Sequence, residues 1–334
     1  MSSIRWALVG TSDFALEWIA PALARAKGSS LAAVVSRDRS RAAAAAAQVG
    51  AAEAYASIEA IDRDLVDGVV LVTPNSAHGA GAIAALQRGL HVIVEKPMSH
   101  TVAECEQMIA AAETSGAMLA VAHCMEWAPP IVAARELLER SVIGRVHRAR
   151  IGASFLAEPG SLRRDGVAPA SGDAARFGAL FDMGVHAIDT INRLLGPVAI
   201  VRSVRTDTGD ADAVAELQLA SGAAVELSSR WSADENFLEI VGTNGVLRSR
   251  EWWGREFAGH LEIEQSGATE QVPLRRANVY DAQLSHLSDA ASGRCAPATS
   301  ARRGAANVAV IEAVVRSARS GESAPVSAPR GRLG

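Results

Sequence analysis

Cysteine is scarce. There are three in 334 residues, Cys105, Cys124 and Cys295. An odd count with no metal-ligand spacing excludes a disulfide scaffold and a thiolate metal centre, and it suits a reducing compartment. No metal is expected. Long apolar runs are also missing, because no window reaches the roughly 18 residues that a membrane span needs. Residues 1–20 lack the basic start and unbroken apolar stretch of a signal peptide, since Asp13 and Glu17 interrupt them. The expected location is the cytoplasm. An excess of positive charge is missing too. The 33 Lys and Arg are outnumbered by 37 Asp and Glu, for a net charge of −4. Neither nucleic acid nor an anionic membrane is therefore expected as a partner.

What is present is an ordinary soluble composition, 49% hydrophobic and 21% charged, over a length that fits two domains. The first 125 residues alternate. Apolar runs stand at "RWALVG", "SLAAVVS", "DGVVLVTP", "LHVIVEKP" and "AMLAVAH", with helical patterns over 13–26, 38–48, 76–88 and 101–115 between them. Near-continuous Val, Ile and Leu predict strands buried on both faces, as in a parallel sheet covered by helices. The alternation predicts a doubly wound α/β domain over residues 1–125. Gly89 and Gly116 sit where helix-ending glycines belong, and Thr101 with Glu104 forms a capping-box pattern.

The character changes after Pro129-Pro130, where a helix should run to about residue 140. Strand patterns follow at 146–155, 198–206, 213–220, 223–231, 236–241, 246–250 and 260–265, several of them alternating. One helix, "DMGVHAIDTINRLLG", interrupts them, and a last helix is expected over 304–319. Residues 126–334 thus predict an α+β domain on an open, largely antiparallel sheet. Its outer face would be covered in a homo-oligomer, a dimer or tetramer.

Gly10 follows the first strand and precedes a helix. Against the G-x-G-x-x-G dinucleotide fingerprint, Gly10-Thr11-Ser12-Asp13-Phe14-Ala15 keeps only the first glycine. Ser12 still permits close phosphate approach, and the helix N-terminus favours an anion. By itself the motif is equally a plain tight turn. The second strand ends at Ser36-Arg37, where NAD-selective sites carry an acidic residue. A hydroxyl and a guanidinium, with Arg39 and Arg41 nearby, suit a 2′-phosphate. Asp38 lies past the tip and is expected to cap the next helix. NADP(H) is therefore favoured over NAD(H).

Ligands of open α/β sheets bind beyond the carboxyl ends of the strands. Two such ends are Thr73-Pro74-Asn75, with His78 one turn on, and Glu95-Lys96-Pro97. Together with "DMGVHAID" downstream, "VTPNSAH" and "GLHVIVEKPMS" resemble the Gfo/Idh/MocA oxidoreductases, and the resemblance covers nearly the whole chain. It implies a Rossmann domain, a second domain with an open sheet, and hydride transfer between NAD(P) and a sugar, cyclitol or similar alcohol. It assigns catalysis to Lys96, Asp182 and His186, and it raises a cis Lys96–Pro97 bond as an alternative to the default trans form. Ser12, Glu17-Trp18 and Ser36 are similar to the NADP-dependent 1,5-anhydrofructose reductase branch.

The residue types suit the chemistry. An imidazole titrating near neutrality takes or gives the hydroxyl proton, so His186 is expected to do so. Asp182, four residues earlier, shares its helix face and would orient it or bind a substrate hydroxyl. Lys96 would stabilise alkoxide charge. Arg163 and Arg164 lie in a Gly/Pro/Ser-rich loop where they would contact cofactor or substrate or stand in solvent. Where the family often has arginine before an aromatic and a proline, this chain has Glu126-Trp127-Ala128-Pro129. His91, His123 and Cys124 are assigned to packing, and Trp252-Trp253 to the sheet or a subunit contact. The rivals are a redox-using glycosidase that retains NAD, a non-catalytic dinucleotide sensor, and a structural oligomer subunit.

Overall fold

The computed structural model describes residues 3–156, 177–206, 212–252, 256–257 and 259–327. The first apolar runs form six strands: β1 (Ile4–Val9), β2 (Ser29–Val35), β3 (Glu53–Tyr55), β4 (Gly68–Leu71), β5 (His91–Val94) and β6 (Leu119–Val121). They pair in parallel in the order β3-β2-β1-β4-β5-β6. The order reverses direction between β1 and β4, so a crevice opens there beyond the strand ends. Helices α1 (Ala20–Arg25), α2 (Arg39–Val49), α3 (His78–Gln87) and α4 (Val102–Ser115) cover the sheet. Asp38 caps α2 by accepting from Ser40 N and Arg41 N. Gly116 ends α4 at φ +70, a left-handed conformation that costs glycine little.

Helix α5 (Pro129–Glu139) leads into a nine-stranded mixed sheet. Its order is β15-β14-β12-β11-β7-β10-β9-β8-β17. The members are β7 (Val146–Ser154), β8 (Val198–Thr206), β9 (Ala213–Leu219), β10 (Ala224–Arg230), β11 (Phe237–Gly242), β12 (Gly245–Ser249), β14 (Glu262–Gln265), β15 (Ala268–Gln271) and β17 (Ala324–Pro325). Among the described residues, only β7 and β10 pair in parallel within this sheet. A small ribbon pairs β13 (Glu256–Phe257) with β16 (Ala277–Asn278). One sheet face, with Ala149, Ile151 and Leu238, packs on helix α6 (Val185–Leu195). The other carries a cross-strand row, Glu262, Arg248, Glu239, Arg150 and Glu226.

A helix the sequence reading omitted, α7 (Val279–Ala291), follows β16. Its buried face includes Gln283 and Ser288, which break the apolar periodicity a sequence reading depends on. Ser288 sits where the helix returns to the first sheet, with Trp6 Nε1 donating to Ser288 Oγ at 3.0 Å, and Arg25 of α1 pairs with Asp281 at 2.8 Å. Helix α8 (Ala301–Ser320) starts three residues before the expected 304, because Ser300 caps it. Val121 N donates to Thr299 O at 2.9 Å. The far end of the chain thus completes the packing of the first sheet, and one apolar core runs through both sheets.

Candidate active site

The crevice is built from strand ends. At the end of β1, Gly10 has φ +118, and a Cβ there would lie 2.2 Å from Val72 O. No larger residue fits that approach. The chain then enters a helix at Asp13 that turns π-helical over Ala15–Ile19. Ser12 caps it, accepting from Ala15 N at 3.3 Å. Thr11, Ser12, Asp13 and Phe14 therefore surround a helix N-terminus that faces the cleft. At the end of β2, Ser36 is half-buried, and Arg37 and Arg41 are exposed. The Asp38 carboxylate is engaged by Ser40 N, Ser40 Oγ and Arg41 N, and these bonds lower its pKa.

The other end of the cleft is drier. Lys96 follows β5, and its bond to Pro97 is cis. Its Nζ donates to Asp182 Oδ1 at 2.7 Å and to the Asp182 carbonyl at 2.9 Å. Their side chains are 18% and 12% exposed. Asp182 sits in a second π turn, Leu180–Gly184, which runs straight into α6 and His186. Trp231 Nε1 donates to the other carboxylate oxygen of Asp182 at 3.4 Å. Burial pulls the Lys96 pKa down, but Asp182 and Glu95 outweigh it and the net shift is upward. Lys96 is therefore a firm ammonium. Glu95 is buried beside it, accepts from Lys96 N at 3.1 Å, and is raised by burial to about 7.

His186 departs from expectation. It is 4% exposed, and burial followed by the charge of Lys96 holds its pKa well below 6.5. The ring is neutral at physiological pH rather than poised to titrate there. Cys124 also lines the cleft, but burial lifts its thiol to about 12, so it is no nucleophile.

A cleft of about 1830 Å³ brings together Gly10, Thr11, Ser12, Asp13, Phe14, Ser36, Arg37, Arg41, Thr73, Pro74, Asn75, Glu95, Lys96, Asp182 and His186. His78 is not among them. It is fully buried, with Nδ1 3.0 Å from Pro97 O and Nε2 3.0 Å from Thr73 O, and burial lowers its pKa to about 4. It braces the two strand ends from behind instead of facing a ligand. Arg163, Arg164 and Trp253 lie outside the described residues. Trp252 packs on the sheet, donating to Gly152 O at 2.9 Å.

Sequence reasoning missed Tyr280, which reaches the cleft from α7 and meets Phe14 edge-on at 5.8 Å. It also missed Phe155, Met183 and the Trp231 contact to Asp182. Tyr280 was invisible because its helix was. Glu126, the departure from the family pattern, does not line the cleft.

These features coincide with a family match. Residues 4–123 fit the model described as oxidoreductase family, NAD-binding Rossmann fold, and residues 135–327 fit its C-terminal alpha/beta domain. The chain belongs to the Gfo/Idh/MocA oxidoreductase family. It is similar to the 1,5-anhydro-D-fructose reductase of Ensifer adhaerens, 29% identical over 96% of this chain and 98% of that protein. A D-xylose 1-dehydrogenase (NADP(+)) of Haloferax volcanii is 30% identical over 72% of this chain and 74% of its own. Among solved structures, an aldose-aldose oxidoreductase from Caulobacter crescentus, complexed with glycerol, aligns with a TM-score of 0.87. It is 26% identical and covers 97% of this chain and 99% of its own. The protein is thus an NAD(P)-dependent oxidoreductase acting on CH–OH groups. The residues present fit the cofactor, since the Gly10 approach and the Ser12-capped N-terminus form a cradle that a Cβ would fill. Among the described residues no helix is long and apolar enough to cross a membrane.

Proposed function

We propose that this enzyme transfers a hydride between NADP(H) and a secondary alcohol or ketone of a sugar, cyclitol or related cyclic polyol. One observation carries the reading: Lys96, from the first sheet, pairs with Asp182 of the second unit in the cleft that starts at Gly10, and His186 lines the same cleft. Gly10, Thr11, Ser12, Asp13 and Phe14 would hold the diphosphate. Ser36, Arg37 and Arg41 would hold a 2′-phosphate, a preference supported by the engagement of Asp38 in its helix cap. Thr73, Pro74, Asn75 and Glu95 would line the nicotinamide half, and the nicotinamide, when bound, supplies or takes the hydride.

The side chains handle the proton and the charge. In oxidation, neutral His186 accepts the hydroxyl proton. The Lys96 ammonium has three donors and Asp182 takes two, which leaves one for the substrate oxygen as it becomes an alkoxide. In reduction the proton returns by the same route, from His186 to the forming alkoxide, while the Lys96 ammonium stabilises its charge. Asp182 aims Lys96 and is itself held by Trp231. The substrate class follows the named activities of the relatives, which act on sugars by their names. A homo-oligomer through the outer face of the nine-stranded sheet completes the proposal. There, half-buried Phe237 and Val241 lie beside the alternating charge row.

The test is a titration with NADPH and NADH, followed by a panel containing 1,5-anhydro-D-fructose, D-xylose and cyclitols, read by nicotinamide absorbance. NADPH should bind about tenfold more tightly, a difference of about 1.4 kcal/mol. A panel with no turnover under either cofactor would overturn the reading.

A further inference from the structure

One turn along α6 from His186, and outside the cleft lining, lies a buried cluster that the chemistry above does not use. Glu126 is 4% exposed and accepts from three guanidiniums: Arg135 at 2.5 Å, Arg193 at 3.1 Å and Arg303 at 2.7 Å. Arg303 also grips Asp189 through two parallel bonds of 2.7 and 2.6 Å. Asn307, one turn along α8, donates to Asp189 Oδ1 at 2.7 Å and accepts from Asn192 Nδ2 at 2.8 Å. Asp189 lies three residues after His186 on the same helix, so the two are neighbours across one turn. Helix α6 is thus held at Asp189, Asn192 and Arg193 from below. Lys96 holds the turn before it at Asp182.

The same amide also sets a proton. Asn307 Oδ1 is occupied by Asn192, so Nδ2 must face His123 Nε2, 3.1 Å away. That nitrogen is then an acceptor, and the His123 proton sits on Nδ1. Burial lowers the His123 pKa to about 4. The imidazole that neighbours His186 stays neutral.

Buried ion clusters of this kind add little stability over apolar packing, and their best-attested use is to fix one arrangement. We propose that Glu126, Asp189 and Arg303 are positioning residues: the ion chain holds α6 in one register and so sets His186 against Lys96. This rests on the catalytic reading of Lys96 and His186.

Asp189→Asn and Glu126→Gln keep shape and remove one charge. With NADPH and 1,5-anhydro-D-fructose, turnover should fall by roughly tenfold to a hundredfold, the scale of a small misplacement. KM for NADPH should stay within about twofold, because the cluster lies off the cofactor cradle. NMR of histidine-labelled protein should show the His186 ring titrating closer to its ordinary value near 6.5, as α6 loosens and water reaches it. If either variant fails to fold, Arg193→Gln cuts only the half-buried outer link and should show the same shifts, smaller. A lower melting temperature with unchanged turnover and an unchanged His186 titration would overturn the proposal, since a purely structural cluster predicts that result. Lys96→Ala and His186→Ala run alongside. If those two keep full turnover, the catalytic reading fails, while the titration still reports on α6. If they lose turnover and Asp189→Asn does not, the positioning inference fails alone.

Discussion

At one end of the cleft, Arg37 and Arg41 stand exposed around a glycine turn and a helix N-terminus. At the other, Glu95 and His186 are buried, and Lys96 is tied to Asp182 at 2.7 Å. The first end works through backbone geometry and solvated charge, which suffice to hold an anion. On the proposed reading the second needs groups whose protonation states are set by burial and by one another, and these come from the end of β5 and from α6 with the turn before it. Binding and chemistry should therefore be separable by mutation.

The largest effect is expected at the cradle. Gly10→Ala puts a Cβ 2.2 Å from Val72 O at a positive φ, so NADPH affinity should fall about a hundredfold or more by fluorescence titration, about 3 kcal/mol. Normal affinity would mean that the phosphate end does not depend on that approach. The next effect belongs to the buried end and shows in stability against pH. Glu95 is raised from 4.5 to about 7, so the folded state binds the extra proton between those values. Its contribution is fully present below pH 4.5 and declines by about 3 kcal/mol as pH rises to 7. Glu95→Gln should flatten that decline in urea unfolding at several pH values. His78 runs the other way. It is lowered from 6.5 to about 4, so the stability it lends is present above 6.5 and lost as pH falls towards 4. A Glu95→Gln profile parallel to wild type would place Glu95 in water. The smallest effect is at the ribose tip: Arg37→Ala should erase most of a tenfold NADPH preference, about 1.4 kcal/mol. Equal affinities in the wild type would remove the argument from Ser36 and Arg37.

Much of this was legible because the signals are local. Continuous Val and Ile runs gave the parallel strands, and Gly10, Lys96, Asp182 and His186 fell into one cleft as their motifs implied. What was hidden depends on distant partners. Glu126 looked like a charge reversal until Arg135, Arg193 and Arg303 met it from three helices, α5, α6 and α8. His78 looked like a ligand contact because its spacing from Asn75 cannot reveal that two carbonyls enclose its ring. His186 looked poised near neutrality because burial is not a property of sequence. Helix α7, with Tyr280, was lost because Gln283 and Ser288 point inward. The two π turns, at Ala15–Ile19 and Leu180–Gly184, have no sequence signature either, yet both border the cleft.

The central claim is that an ammonium from the first sheet and an imidazole from α6 share one reacting carbon. It is tested most directly by Lys96→Ala and His186→Ala, comparing kcat with the NADPH dissociation constant in each. Turnover should fall by roughly a hundredfold or more in both, with the dissociation constant within about threefold of wild type. Full turnover in both variants would contradict the claim.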